Sequence, residues 1–518
     1  MEPRLEIHKI NISSPDSLDE LLNIVIKLLI TPRRNPQLIP LINTIKHAHA
    51  LDPQCLIVQK NVQDPDFLAE HAAYYSQWTT SVPRYCYRLH FFKMFPENEE
   101  NVLAIIDQLA IEKDSYLGFV TLRPISVSPV AATILKPLPG HFVTSRDDFS
   151  VNLTGQKFSL AGTPFLQQDN AVGACAQASI WMALRTLRRR EGLAPFSPSQ
   201  ITSAATRFLV QGRTLPNRTG LSLEQIFEAI RTAGYSTNVI SLRNNNENAT
   251  PQSLIISKIK LYPYIESGIP VLVVLFPKDQ SGHAVLLIGH GWTRNPNTQN
   301  TIPKPALDSE NNIEIIDASA WASPFYIHND NTGPYLPLED TTTDTYSLSD
   351  AVMAIPFLPL DIFINADEAR ETCLDLLRSV LNDIWEDDET NQPPIKVVIR
   401  LYLIDRSHFR ECVLHNNMST DVKSYYRLKW LPKKFWLMEL NALPNYEASP
   451  EGTATRMGEI LLDPSSEPED CAFLSIHLSK HLLPSTYQNG VIFDRDAFNG
   501  DISCENVNTS NYSPRLRR

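Results

Sequence analysis

Seven cysteines are scattered over 518 residues, and no two stand in a CxxC pair. That excludes a disulfide-stapled scaffold and a paired-cysteine zinc module, and it suits a reducing cytoplasm. Positive charge is also short. The 46 Lys and Arg against 58 Asp and Glu leave a net charge of -12, which excludes a general nucleic-acid binder, because phosphate binding needs concentrated Lys and Arg. Long apolar runs are missing: the longest, Ile269 to Phe276, falls far short of a membrane span. The start, "MEPRLEIHKINISSPD", has no basic stretch followed by an apolar core, so no signal peptide is expected. There is no GxxxxGK[ST], HExxH or GxSxG and no internal repeat. These absences lead us to expect a cytoplasmic protein with no nucleic-acid or membrane partner, no metal and no cofactor.

A chain of this length needs more than one core. Residues 1–150 read as helical, then β-rich. Candidate helices are "SLDELLNIVIKLL", stopped by Pro32, "NPQLIPLINTIKHAHAL" and "ENVLAIIDQLAIE", followed by the strand "YLGFVTLRPI". "DFSVNL" and "QKFSL" alternate around Thr154-Gly155, a hairpin turn. Capping boxes at Ser197/Gln200 and Ser222/Gln225 open two helices, and Gly234 closes the second. Buried strands follow at "IPVLVVLF", "GHAVLLIGHGW" and "NIEIIDAS". The polar stretch 328–347 reads as a boundary, giving a middle domain over 151–345. An α+β domain over 346–494 and a disordered tail over 495–518 complete the chain. Arg188-Arg189-Arg190 reads as a solvated helix face, His47 and His49 as surface residues, and "RYCYRLHFF" as a half-buried strand.

In the middle third, "QQDNAVGACAQAS" places Cys175 where a glycine-containing loop meets an apolar helix. The residue is either a small buried thiol or a nucleophile. A helix N-terminus lowers a thiol pKa, and Gly173 would let a substrate backbone approach. A base is available in His283, which follows a Ser-Gly turn and opens an apolar strand. Its competitor, His290, lies seven residues on, so by alternation it faces the opposite side. Asp317 ends the next strand and either orients the base or caps a turn. Gln168 or Gln167, upstream of the thiol, offers an amide for an oxyanion.

Taken together, a Gln, Gly-x-Cys opening a helix, "GIPVLVV", "GHAVLLIG" and a strand-ending Asp resemble the papain-like cysteine peptidases over residues 162–325. The nearest type is the bacteriocin leader-processing peptidases, which cut after a double-glycine motif. In this chain Gln168 stands seven residues before the cysteine, and Ala318 follows the aspartate. The resemblance implies an α+β fold: a helix bearing Cys packed on an antiparallel sheet bearing His and Asp. An N-terminal α/β region and a C-terminal α+β domain would flank it. It implies Cys175 as nucleophile, His283 as base and acid, Asp317 as orienter and Gln168 at the oxyanion.

The expected function is hydrolysis of a peptide bond in a protein or peptide substrate. The flanking regions would select substrate or receive a regulatory protein partner. The same triad would also serve an isopeptidase, deamidase or acyltransferase, and an inactive interaction protein is the rival from another class.

Overall fold

The computed structural model describes residues 5–484 except 30–37, 80, 98–100, 113, 126, 169–174, 209–219, 244–248, 278–281, 294–295, 297–312, 342–345, 386–394, 416–419, 444–445, 447–455, 467–471 and 479–480. The tail read as disordered and Gly173 lie outside the described residues.

The fold is mixed α+β. Its first part is a five-stranded antiparallel sheet with strands in chain order: β1 (Leu5–Lys9), β2 (Cys55–Val62), β3 (Cys86–Phe92), β4 (Tyr116–Leu122) and β5 (Ile134–Leu135). Helices α1 (Ser17–Lys27), α2 (Ile39–His49), α3 (Pro65–Ala73) and α4 (Val102–Ile111) lie between them. Strands β1 and β2 thus fall where the sequence reads as mainly helical, while β3 is the strand read in "RYCYRLHFF". Both faces of this sheet are covered, so β4 and the first half of β2 carry continuous apolar runs instead of alternation. Leu56, Val58, Leu89 and Phe91 pack in one core with α1 and α2. Cys55, Ile57 and Phe92 pack in another with α4. His47, expected on the surface, is buried.

Next come β6 (Phe142–Val143) and the hairpin β7 (Asp147–Leu153) and β8 (Gln156–Gly162). The hairpin turns through Thr154 at φ 50 and Gly155 at φ 95, the left-handed pair that matches strand twist. Helices α5 (Cys175–Arg190), α6 (Pro198–Ala205) and α7 (Leu223–Thr232) follow, then β9 (Tyr235–Thr237), β10 (Ile240–Ser241) and α8 (Pro251–Glu266). Both expected capping boxes form, at Ser197 and Ser222. Of the arginines at the end of α5, Arg189 and Arg190 are exposed, as a solvated face requires, and hydrogen bonds to backbone carbonyls also hold the face in place. Arg188 donates to the carbonyls of Ala194 and Ala233, and Arg190 to those of Gly268 and Thr144.

The remaining strands of this part are β11 (Val271–Leu275), β12 (His283–His290), β13 (Ile313–Asp317), β14 (Phe325–Asn329), β15 (Gly333–Leu338) and β16 (Ala351–Pro359). A central sheet runs β10-β16-β11-β12-β14-β15, with β6 added on β12 and β9 on β16. It too is covered twice. Leu272, Ala284, Leu286 and Ile288 share a core with Ile180, Trp181 and Leu184 of α5. Val271, Val273, Val285 and Leu287 share the other with Leu261 and Ile265 of α8.

The last part holds α9 (Ala366–Trp385), β17 (Ile395–Asp405), α10 (Arg406–His415), α11 (Thr420–Leu428), β18 (Lys434–Ala442), β19 (Arg456–Leu462), β20 (Phe473–Leu478) and β21 (His481–Pro484). Its sheet runs β13-β17-β18-β19-β20-β21, and β13 joins β17 in parallel. A boundary at 345/346 is therefore wrong on both sides. Strand β16 belongs to the central sheet, between β10 and β11, while β13 belongs to the C-terminal one. The stretch 328–347, which reads as a boundary in the sequence, carries the end of β14 and all of β15.

A buried ionic network joins the two sheets. Arg400 of β17 donates through Nε to Glu266 Oε2 at 2.9 Å and through Nη1 to Glu439 Oε2 at 3.0 Å. His290 Nε2 donates to Glu266 Oε1 at 2.7 Å and Nδ1 to the Gly291 carbonyl at 2.6 Å. Burial alone would raise the Glu266 carboxyl, but Arg400 and His290 overcome it and hold it at about 2. Both ring nitrogens of His290 thus face acceptors, and Glu266 is held from two sides, by His290 and by Arg400.

Candidate functional site

Cys175 opens α5, which packs against β12 through its whole apolar face. The sequence favours a start here because Ala176, Ala178, Ile180 and Ala183 give a narrow, small-residue surface that lies close to the sheet. His283 opens β12 and is 5% exposed. Helix head and strand start meet at Ala284, whose carbonyl accepts from Ser179 Oγ at 3.3 Å.

The partner of His283 is Asn329, at the end of β14. His283 Nε2 donates to Asn329 Oδ1 at 2.9 Å. Strand β14 is the antiparallel neighbour of β12, with Leu286 opposite His328, so its end returns to the start of β12. The same Asn329 oxygen accepts from the Asn331 N–H at 3.0 Å, and Asn331 Nδ2 lies 3.5 Å from His283 Nδ1. Tyr346 stacks on the imidazole, with ring centres 5.0 Å apart and planes at 26°.

Asp317, expected to orient the histidine, is committed elsewhere. It ends β13 in the C-terminal sheet, where Oδ1 accepts from the Ser319 N–H at 2.9 Å and Oδ2 from Arg370 Nε at 3.3 Å. The turn-capping alternative is the one the structure contains. Gln167 is also committed: its side chain accepts from the Val130 N–H at 3.0 Å, and Arg123 holds its carbonyl at 2.6 Å. Gln168 beside it is half-buried. His290 lies about 23 Å along the strand from His283 at ~3.3 Å per residue, in the ionic network. A register shift between Leu287 and Gly289 interrupts simple alternation between the two histidines.

Burial controls the electrostatics. It pushes the Cys175 thiol up to about 11, and Asp330 adds to the push. The N–H groups of Ala284, Ala176 and Cys175 pull the other way without prevailing. Desolvation of the thiolate thus acts against the lowering expected from the helix terminus. Burial also lowers His283, which the bond to Asn329 partly offsets. Asp330 is fully buried, both its oxygens lack a hydrogen bond, and Oδ1 lies 3.5 Å from His283 Nε2. Its carboxyl is pushed well above the usual range by burial.

A sequence signal for Asn329 and Asp330 existed in "FYIHNDN": an apolar strand ending in polar residues, just as "IEIIDAS" does. A cleft of about 730 Å³ lies at the far end of α5, lined by Arg190, Tyr235, Asp405 and Lys434, and none of Cys175, His283 or Asn329 lines it. Among the described residues no group of three or more His, Cys, Asp or Glu could hold a metal ion, and no helix is long and apolar enough to cross a membrane. Comparison with protein-family models, curated proteins and solved structures finds no match.

Proposed function

We propose that this chain is a papain-like cysteine peptidase whose triad is Cys175, His283 and Asn329. The observation that carries the reading is the 2.9 Å bond from His283 Nε2 to Asn329 Oδ1, formed where the helix headed by Cys175 meets the strand headed by His283. An amide oxygen can only accept, so it fixes the proton on Nε2 and leaves Nδ1 as the basic nitrogen.

In this reading the Cys175 proton passes to His283 Nδ1 as sulfur attacks the substrate carbonyl. A free thiol at about 11 holds little thiolate near neutrality, so proton transfer to His283 has to accompany attack. The tetrahedral oxyanion would be met by the Cys175 N–H at the head of α5 and by Gln168. The imidazolium returns its proton to the leaving amine as the C–N bond breaks, which leaves a thioester. Water then adds with His283 as base, the C–S bond breaks, and the thiol is restored. Burial holds the Asp330 carboxyl well above its usual range, which favours its neutral form beside the sulfur.

The test is an electrophilic peptide probe for thiol peptidases. It is expected to label Cys175, with labelling lost in His283→Ala and in Cys175→Ala. A probe that ignores Cys175 in folded protein would end the reading. Comparing cleaved proteins in cells that carry wild type or Cys175→Ala would then identify the substrate.

A further inference from the structure

Asn329 sits in a tight turn, and the N-terminal region holds that turn from outside. The turn Asn329-Asp330-Asn331-Thr332 closes β14 onto β15, with the Thr332 N–H donating to the Asn329 carbonyl at 3.0 Å. Helix α2 lies across it. Asn43 Nδ2 donates to the Thr332 carbonyl at 2.7 Å. Gly333 takes φ 143, and a Cβ placed there would stand 2.9 Å from Asn43 Cβ, so helix and turn touch with no room between them. One turn along α2, His47 stacks on Tyr335, with centres 4.6 Å apart and planes at 17°. Tyr335 is a non-glycine residue at φ 53, a conformation that persists where surroundings impose it. Its N–H donates to His328 Nδ1 at 3.0 Å and its hydroxyl to the Leu135 carbonyl at 2.8 Å. His328 is the residue before Asn329. Both ends of the turn are therefore tied to elements more than 190 residues upstream.

We propose that Asn43 is a positioning residue of the candidate site: it fixes the turn that aims Asn329 Oδ1 at His283, so residues 1–150 are part of the reactive machinery. This rests on the Cys175–His283–Asn329 reading above. That one oxygen receives both the turn's own Asn331 N–H and the imidazole, so a shift of the turn moves the imidazole's partner with it.

The experiment measures the pH dependence of Cys175 alkylation by iodoacetamide in the full chain, read by mass spectrometry. Cys412, half-buried in α10, is the internal reference. Asn43→Asp keeps the shape and removes the donor; Asn43→Ala removes both. Lys46→Ala, an exposed change on the same helix, is the control. Each protein is assayed well below its own melting temperature. Both Asn43 variants should lose on the order of tenfold in neutral-pH alkylation of Cys175, the scale of one hydrogen bond. They should shift its profile toward that of His283→Ala, in which alkylation rises only at alkaline pH, with Cys412 unchanged. His283→Ala should lose at least as much. Wild-type profiles in both Asn43 variants, with His283→Ala flattened, would overturn this inference and leave the triad standing. An unaltered profile in His283→Ala would remove the triad and this inference together.

Discussion

Replacing Asn329 by alanine removes the acceptor 2.9 Å from His283 Nε2. A hydrogen bond between neutral groups is worth about 0.5–1.5 kcal/mol, and one from a charged donor about 1.5–3 kcal/mol. The bond therefore strengthens by about 1–1.5 kcal/mol when the imidazole takes the thiol proton. At about 1.4 kcal/mol per decade that difference is about tenfold in the rate of any step that needs the imidazolium. Asp330 Oδ1, 3.5 Å from the same nitrogen, remains as a poorer neighbour, which keeps the loss from growing much larger. Asp317→Ala works on another quantity. Its side chain and that of Arg370 are each 9% exposed; removing the carboxylate leaves the guanidinium with Glu371 alone, at 2.9 Å, so the cost falls toward the lower end of the about 3–5 kcal/mol of a broken buried pair. The melting temperature should drop while the alkylation profile of Cys175 in the folded fraction holds. The assay is limiting iodoacetamide across pH, with thermal melts on the same samples. A folded Asn329→Ala with the wild-type profile, or a folded Asp317→Ala with a collapsed one, would refute the assignment of Asn329 over Asp317.

His290→Ala should behave like Asp317→Ala: it leaves Glu266 with Arg400 alone, and melting should show a loss of about 1–3 kcal/mol, the cost of a buried group deprived of one partner, with Cys175 still reactive. A chain ending at residue 345 should fail to fold, because it lacks β16 from between β10 and β11; a soluble, cooperatively melting 1–345 fragment would contradict this. Stability should fall on acidification below about pH 6.5. Burial holds His47 at about 4 and His90 and His328 at about 3, so the unfolded chain takes up protons first. Each group then contributes a loss of about 1.4 kcal/mol per pH unit. Asp66, raised to about 6 by burial, and Asp330 act in the opposite direction and offset part of it. Denaturant midpoints that stay level from pH 7 to pH 5 would count against these burials.

Features set by local chemistry were legible in the sequence. The capping boxes, the Thr154-Gly155 turn and the helix headed by Cys175 all stand where their residues put them. So does the strand headed by His283, whose apolar run marks burial on both faces. The rest depended on partners distant in the chain. "IEIIDAS" and "FYIHNDN" are equally good strand ends, and only sheet order puts β14 beside β12 and β13 beside β17. The turn-rich composition of 328–347 reads as a boundary, yet here Asn, Asp and Gly serve a hairpin tip. His47 looked like a surface residue because its buried neighbour, Tyr335, lies far along the chain. Cys175 had the right position for a low pKa, but desolvation is a property of the packed state.

The placement of β16 also sets a schedule for synthesis. Cys175 leaves the ribosome roughly 180 residues before Pro359, which at about 5–20 residues per second is about 10 to 40 s. Throughout that interval β11 lacks one of its two neighbours, and Asp317 has neither Arg370 nor β17 to hold it. The sheet beneath the thiol closes only when translation has passed the far side of the reactive region, so a nascent chain carries its cysteine on an unfinished platform and any activity begins after release of that segment.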